Sequence, residues 1–204
     1  VGLLDASQRR KLNECMLDDV LRAVKRCEKV NHLIIVSPDE AVLKLAREQS
    51  AYPIRESYES GVNAAVSLAT RHCLRNKTDL VVILPSDVPL VKPEDVDLMI
   101  ELASISPTVI ISPSYRFDGT NALALRPPRI IKTFYDKNSF HSHLDAAKNV
   151  NARSLIYLSE RLMLDIDTND DISELLNRNS NTRTAEFLKE ILKKKYLSSK
   201  RFDR

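Results

Sequence analysis

The sequence predicts one α/β domain of three layers, in which helices cover both faces of a sheet that is parallel in its first half. Two patterns lead to this prediction. Strand-like runs alternate with helical segments in the first half of the chain, which is typical of a helix-covered parallel sheet. The run Leu80–Leu84 is apolar without interruption, as expected of a strand buried on both faces. The 204 residues contain no repeat or linker, so we expect a single domain over residues 1–204.

The first half is predicted to contain three pairs of helix and strand and one further helix. Asp5 or Ser7 can cap a long first helix, which presents an apolar face through Leu12, Met16 and Val20. Proline fits the first turn of a helix, and two later helices have one at their predicted start. The elements that follow the first helix are a strand at 32–37, a helix from Pro38, a short strand at 52–56, a helix after Gly61, the strand at 80–84 and a helix from Pro93.

The second half predicts a different order of elements. Two strands, at 108–114 and 121–126, are separated by the turn sequence YRFDGT. Thr168 and Asp171 have the spacing of a capping box, which marks the start of another helix. The remaining predicted elements are a helix at 139–150, a strand at 153–159, a strand edge at 161–167 and a closing helix at 182–196.

Composition excludes several classes of function. The formal charge of +3 is too small to indicate a nucleic-acid partner, and no apolar run is long enough to span a membrane. The three cysteines show no paired spacing, so we expect free thiols in a reducing cytoplasm. His141 and His143 are two apart on a predicted helix, where they would point in different directions, so a histidine metal site is not expected. Nor does the sequence suggest a Ser/His/Asp or Cys/His arrangement.

Carboxylates follow two of the predicted strands. Asp87 follows the strand at 80–84 after Pro85 and Ser86, and Pro89 keeps the residue before it extended, which stiffens the turn. Asp165 and Asp167 are two apart, so on a strand both would face one side. Each acid could simply be solvated or cap a helix. Together, at the ligand-binding edge of a parallel sheet, they predict a Mg²⁺ site that is completed by a substrate phosphate.

Two further segments carry polar groups beside a glycine. The turn sequence DGTN offers backbone amides, the Thr120 hydroxyl and the Asn121 amide, although such a sequence is also a common turn signal. Asn63 follows Gly61 at the start of a helix, where it could serve only as a cap. The sequence has few glycines, so we expect Gly61 and Gly119 to occupy positions that need backbone freedom.

Four motifs occurring together resemble one family. The segments PSDVPL, DGTNAL, NSFHSH and DIDTNDDISELL, in this order and spacing, are similar to the 2-phospholactate guanylyltransferases, and the resemblance covers nearly the whole chain. These enzymes contribute to the deazaflavin coenzyme F-420 and belong to the MobA-like nucleotidyltransferases. The resemblance implies a Rossmann-like, GT-A-like fold with a mostly parallel mixed sheet. It also implies an enzyme that joins GMP from GTP to 2-phospholactate, or to a similar three-carbon phosphate such as phosphoenolpyruvate, and releases pyrophosphate.

The resemblance assigns roles to individual residues. The residues that match metal-binding aspartates are Asp87, Asp165 and Asp167, of which Asp87 and Asp167 are also expected to carry catalysis. The residues that match the acceptor-substrate pocket are Thr120, Asn121 and Ser139, and those that match the nucleotide segment are Gly61 and Asn63.

The chain departs from the family pattern at two places. Asp136 stands where relatives often have glycine, so phosphate binding there is expected to differ. Members of the family begin with a central strand and a basic loop that binds the triphosphate, and this sequence begins after the position of that loop. We therefore expect the natural protein to have a further strand between those at 32–37 and 80–84. Two alternatives stay open: a cytidylyl- or guanylyltransferase for a molybdopterin or sugar phosphate, and a non-catalytic nucleotide-binding regulator. A homodimer also stays open.

Overall fold

The computed structural model describes residues 4–58 and 61–202. The helices in this part of the chain are α1 Ala6–Val24, α2 Glu40–Glu48, α3 Val62–Arg75, α4 Pro93–Leu102, α5 Ser139–Asn149, α6 Asn169–Asn177 and α7 Arg183–Phe202. The strands are β1 Ile34–Ser37, β2 Tyr52–Arg55, β3 Val81–Ile83, β4 Thr108–Pro113, β5 Thr120–Arg126 and β6 Arg153–Ile156. The predicted α/β class is confirmed.

The strands form two sheets. β1 and β2 pair in parallel, as expected of the first half of the chain. The second sheet has the order β3-β5-β4-β6, in which β5 is antiparallel to both of its neighbours while β4 and β6 run parallel. The sheet is therefore mixed. β4 and β5 form an antiparallel hairpin over the YRFDGT turn, whereas β4 and β6 are parallel.

Helices cover both faces of the four-stranded sheet. On one face Ile110 of β4 and Ala124 of β5 pack in a core cluster with residues of α1 and α4. On the other face Val109 and Ile111 pack with Phe140 and other residues of α5. Successive side chains of a strand point to opposite faces, so β4, which is buried throughout, contributes to both clusters. A third cluster joins α1, α6 and α7.

An open cavity separates the two sheets. In the described part of the chain, β1 has a sheet neighbour on one side only, β2, and β3 likewise has only β5. Both strands line the same cavity of about 1620 Å³, together with residues of α1 and α3. For this reason β3 is only half-buried, and the prediction of a strand buried on both faces is wrong for this structure. The expected further strand would lie between β1 and β3, and it stays a prediction.

Most of the predicted helix starts agree with the structure. Asp5 caps α1, and Thr168 and Asp171 form the predicted capping box of α6. α2 begins at Glu40 with Asp39 as its cap, slightly later than the predicted start at Pro38. Gly61 precedes α3 with a φ of 82°, a conformation that side chains other than glycine rarely adopt. Among the described residues, no helix is both long and apolar enough to cross a membrane.

Candidate active site

The candidate site lies where β3 ends. The segment after β3 brings in Asp87, and the three residues that follow it, Val88 to Leu90, are buried. The carbonyl of Asp87 accepts a hydrogen bond of 3.0 Å from the Ile166 N–H, which ties this turn to the segment before α6. Asp87 Oδ1 is buried and has no hydrogen-bond partner within residues 4–58 and 61–202. A buried carboxylate oxygen without a partner is costly, so the position favours a bound cation or donor.

The carboxylates expected to bind metal influence one another. Burial, together with the charges of Asp167 and Asp165, raises the pKa of Asp87 to about 6. Asp167 as a whole residue is exposed, but partial burial of its carboxylate and the charges of Asp165 and Asp171 raise its pKa as well. Three acids from two separate segments therefore share one electrostatic environment. A cation bound there would relieve the repulsion between them.

The segment that carries Asp165 and Asp167 is not a strand. The prediction of a strand edge at 161–167 is wrong, because isolated backbone bonds to residues 87, 115 and 159 hold this segment in place of a ladder. The segment is nevertheless fixed, since Leu164 and Ile166 are buried. The Asn121 side chain donates a hydrogen bond of 3.2 Å from Nδ2 to Asp165 Oδ1. Asn121, expected in the acceptor pocket, thus contacts one of the expected metal-binding residues.

The hairpin turn between β4 and β5 is held by hydrogen bonds within the turn. Ser114 Oγ donates to Asp118 Oδ1 at 2.8 Å and accepts from the Gly119 N–H at 3.1 Å. The expected need for backbone freedom is not seen at Gly119, whose φ is not positive. A Cβ there would instead lie 3.3 Å from both Cβ and Oγ of Ser114, so a side chain is disfavoured for steric reasons. The turn delivers Thr120 and Asn121 as the first two residues of β5, and both are buried.

Thr120 lies beside a histidine that sequence reasoning did not select. Thr120 Oγ1 is 3.0 Å from Nδ1 of His143, which is fully buried on α5. The other ring nitrogen, Nε2, accepts a hydrogen bond of 2.9 Å from the Phe134 N–H. The signal that could have identified His143 is its position four residues after Ser139, which puts both residues on one face of a helix.

Ser139 is the first residue of α5 and is buried. The residue before it, Asn138, has a left-handed backbone conformation with a φ of 58°, and its side chain does not cap the helix. The first N–H groups of a helix carry partial positive charge and bind anions when they are not capped. The start of α5 lies near Thr120, because His143 of the same helix contacts the Thr120 hydroxyl. The start of this helix is therefore suited to binding a phosphate or carboxylate.

The residues expected near the nucleotide make a different contact. Asn63 Oδ1 accepts from the Tyr135 N–H at 2.8 Å, and Asn63 Nδ2 donates to Asp136 Oδ2 at 3.1 Å. The amide thereby fastens the segment before α5 to the start of α3. Asp136, the acid that departs from the family pattern, is engaged in this contact. A nucleotide role for Gly61 and Asn63 stays a prediction.

The described residues do not form a ready-made metal centre. No group of three or more His, Cys, Asp or Glu side chains among them is arranged to hold a metal ion. Magnesium does not require such a cage, because it is commonly bound by one or two carboxylates together with substrate phosphates. The oxygen donors of Asp87, Asp165 and Asp167, with the unpartnered Asp87 Oδ1, fit that mode of binding.

Comparison with known proteins identifies the family. A family model described as "Guanylyl transferase CofC like" matches residues 2–201. The chain belongs to this family. It is 35% identical over 174 residues to a phosphoenolpyruvate guanylyltransferase of Rubrobacter xylanophilus, covering 85% of this chain and 84% of that protein. It is 34% identical over 203 residues to a 2-phospho-L-lactate guanylyltransferase of Methanocaldococcus jannaschii, covering 98% of this chain and 86% of that protein.

Solved structures support the fold of this CofC-like chain. A putative nucleotide-diphospho-sugar transferase from Desulfovibrio desulfuricans G20 superposes with a TM-score of 0.74 at 16% identity, over 93% of this chain and 85% of that one. A 4-diphosphocytidyl-2C-methyl-D-erythritol synthase superposes with a TM-score of 0.60 at 15% identity, over 78% and 88%. At these identities the likeness concerns the fold alone, and it agrees with the predicted nucleotidyltransferase-like architecture.

Proposed function

We propose that this chain transfers a guanylyl group from GTP to a phosphorylated three-carbon acid, with release of pyrophosphate. Phosphoenolpyruvate and 2-phospho-L-lactate are the candidate acceptors, because relatives named for each substrate match most of the chain. The reaction would serve the biosynthesis of coenzyme F-420. The observation that carries the proposal at the level of residues is the buried, unpartnered Asp87 oxygen within reach of the charges of Asp165 and Asp167.

The reaction brings polyanions together at one phosphorus atom. A phosphate oxygen of the acceptor attacks the α-phosphorus of GTP, and the bond from the α-phosphorus to the bridging oxygen of pyrophosphate breaks. The acceptor phosphate is already anionic at neutral pH, so the attacking oxygen needs no general base. This agrees with the pKa of His143, the buried histidine of the site, which burial lowers to about 4 while both of its nitrogens are engaged. Catalysis then rests on positioning and charge neutralisation.

The carboxylates would hold magnesium. Asp87 and Asp167, with Asp165 beside them, supply the hard oxygen ligands that Mg²⁺ prefers, and the bound ion would offset negative charge on the phosphates. Asn121 orients Asp165 through its hydrogen bond to Oδ1. Because burial raises the pKa of Asp87 to about 6, this carboxylate is mostly ionised at neutral pH and becomes a poorer ligand under acidic conditions.

The acceptor would bind between the start of β5 and the start of α5. Thr120 contributes a hydroxyl, and the first turn of α5 contributes the Ser139 N–H, whereas the Phe140 N–H already donates to the Asp118 carbonyl at 3.5 Å. Both are hydrogen-bond donors suited to the carboxylate and phosphate of a three-carbon acid. In this proposal the acceptor would lie on the β5 side of Asp87, and we assign the nucleotide to the side of α3, with Gly61 and Asn63.

A panel of nucleotides crossed with acceptors tests the proposal. GTP, CTP, ATP and UTP are each combined with phosphoenolpyruvate, 2-phospholactate, 3-phosphoglycerate and a sugar phosphate in the presence of Mg²⁺, and pyrophosphate release is measured. We expect release to require GTP together with phosphoenolpyruvate or 2-phospholactate. Asp87→Asn should remove most of this turnover, whereas Asp145→Asn, which changes an exposed acid on α5, should leave it unchanged.

Two results would overturn the proposal. Faster turnover with CTP and a sugar phosphate would move the chain to another class of nucleotidyltransferase. Binding of GTP without pyrophosphate release for any acceptor would make it a nucleotide-binding protein with no transferase activity. Full activity in Asp87→Asn would leave the transferase in place but remove Asp87 from its mechanism.

A further inference from the structure

His143 takes no part in the charge neutralisation or in the metal site described above. Its imidazole is fully buried in α5 and contacts two other parts of the fold through its two nitrogens. Nε2 lies 2.9 Å from the backbone nitrogen of Phe134, and Nδ1 lies 3.0 Å from Oγ1 of Thr120. The Tyr135 ring packs edge-on against the imidazole, with the ring centroids 5.1 Å apart, so the ring cannot rotate freely.

The contact with Phe134 determines where the imidazole carries its proton. A backbone N–H can only donate, so Nε2 must offer its lone pair and carry no proton. A neutral imidazole has one N–H, which is therefore on Nδ1 and points at Thr120 Oγ1. Burial lowers the pKa of His143 to about 4, so the ring stays neutral over the physiological range.

The orientation of the Thr120 hydroxyl follows from this tautomer. Since Oγ1 accepts the hydrogen bond from His143, the hydroxyl proton has to point elsewhere. Within the described residues, no other side chain or carbonyl accepts from Thr120 Oγ1, although the residue is buried. A buried hydroxyl with a directed but unused proton is suited to an oxygen of a bound ligand.

We propose that His143 is a positioning residue that fixes the Thr120 hydroxyl as a hydrogen-bond donor to the phosphate or carboxylate of the acceptor. This proposal rests on the proposed function, because it takes the acceptor to bind at the start of β5 and α5. His143 does not touch the substrate. It acts through Thr120, and the Phe134 N–H selects the tautomer that makes this possible.

A double-mutant cycle separates this role from a purely structural one. The variants are His143→Leu, Thr120→Val and the pair, with KM measured separately for phosphoenolpyruvate and for GTP. We expect His143→Leu to raise KM for the acceptor by about tenfold and KM for GTP by less than about twofold, as for the loss of one hydrogen bond to an anion. In the Thr120→Val background the same substitution should have no further effect, because its target is already gone.

Three additional variants or measurements keep the test decisive. His143→Gln retains one donor and one acceptor and should restore part of the acceptor affinity. His72→Leu removes a histidine of α3 that stacks on Tyr52, and it should leave both KM values unchanged. Nitrogen-15 NMR of the labelled wild-type protein reports the tautomer directly, without any turnover or any variant that has to fold. We expect the Nδ1–H form at pH 7.

The contradicting results are distinct from a failure of the proposed function. An Nε2–H tautomer, or effects of His143→Leu and Thr120→Val that multiply in the double variant, would overturn the positioning role even if transfer from GTP is observed. Equal rises of KM for both substrates would reduce His143 to a packing residue. A wild-type protein that transfers no guanylyl group fails the proposed function, and the NMR tautomer then still decides whether the Thr120 hydroxyl is oriented as inferred.

Discussion

The buried carboxylate of Asp87, whose Oδ1 has no hydrogen-bond partner among the described residues, should destabilise the metal-free protein at neutral pH. Asp87→Asn removes the charge and keeps the size of the side chain. The ordinary aspartate pKa of 3.8 applies to the unfolded chain, whereas burial and the charges of Asp167 and Asp165 raise the folded-state pKa to about 6. The folded state therefore binds the proton more tightly. The contribution to stability is fully present below about pH 3.8 and is lost as the pH rises to about 6.

The size of the effect follows from the two pKa values. At about 1.4 kcal/mol per pKa unit, the difference between 3.8 and about 6 corresponds to about 3 kcal/mol above pH 6. The asparagine amide is also partly desolvated, so we expect a gain in the free energy of unfolding of about 1–3 kcal/mol. For a chain of this length that is a rise in Tm of about 3–10 °C.

Thermal unfolding in EDTA, followed by circular dichroism from pH 4 to pH 8, measures this effect. The wild-type protein should lose stability relative to Asp87→Asn as the pH rises through 4–6, and the exposed-site control Asp145→Asn should follow the wild type. Added Mg²⁺ should raise the Tm of the wild type more than that of Asp87→Asn. Equal Tm values for both proteins at every pH would refute the reasoning, because the buried carboxylate would then carry no net cost.

Three further predictions concern the acceptor, the hairpin turn and the cavity. Thr120→Val should raise KM for the three-carbon phosphate more than KM for GTP in steady-state assays, and the reverse pattern would assign the turn to the nucleotide. Gly119→Ala should lower the free energy of unfolding, measured by urea denaturation, by about 1–2 kcal/mol, because the new Cβ would crowd Ser114. Unchanged stability would show that the turn can relax. An N-terminal extension that carries an apolar strand and a basic loop should fill the cavity between β1 and β3 and raise Tm. It should also speed guanylyl transfer by about tenfold or more. Equal rates with and without the extension would contradict that placement.

Local patterns in the sequence were sufficient to predict most of the elements. The capping box at Thr168 and the helix after Gly61 depend on neighbouring residues, so they could be identified without the rest of the fold. The segment at 161–167 was wrongly predicted as a strand because its apolar residues are buried by packing against separate elements. A run of apolar residues indicates that a segment is buried. A strand also needs a neighbouring strand for its backbone hydrogen bonds, and the local sequence does not show whether one is present.

Only some contacts within the candidate site could be inferred from the chain. The position of Asp87 after a strand follows from the apolar run before it. The charges of Asp165 and Asp167 act on its pKa in the folded chain, and a metal shared by the three acids stays a prediction. The contact between Thr120 and His143 was missed. The two residues are far apart in sequence, and each alone has an ordinary interpretation as a turn residue and a core residue.

Burial has opposite consequences for the pKa values of Asp87 and His143. It raises the pKa of Asp87 to about 6 and lowers that of His143 to about 4, because in both cases the charged form is disfavoured. Above pH 6 Asp87 is mostly charged, and its buried Oδ1 has no partner among the described residues, so an added cation is favoured there. His143 is uncharged over the same range and keeps a fixed direction of hydrogen bonding. A loss of Mg²⁺ affinity in the metal-free protein as the pH falls through about 6 would therefore report the carboxylate and not the histidine.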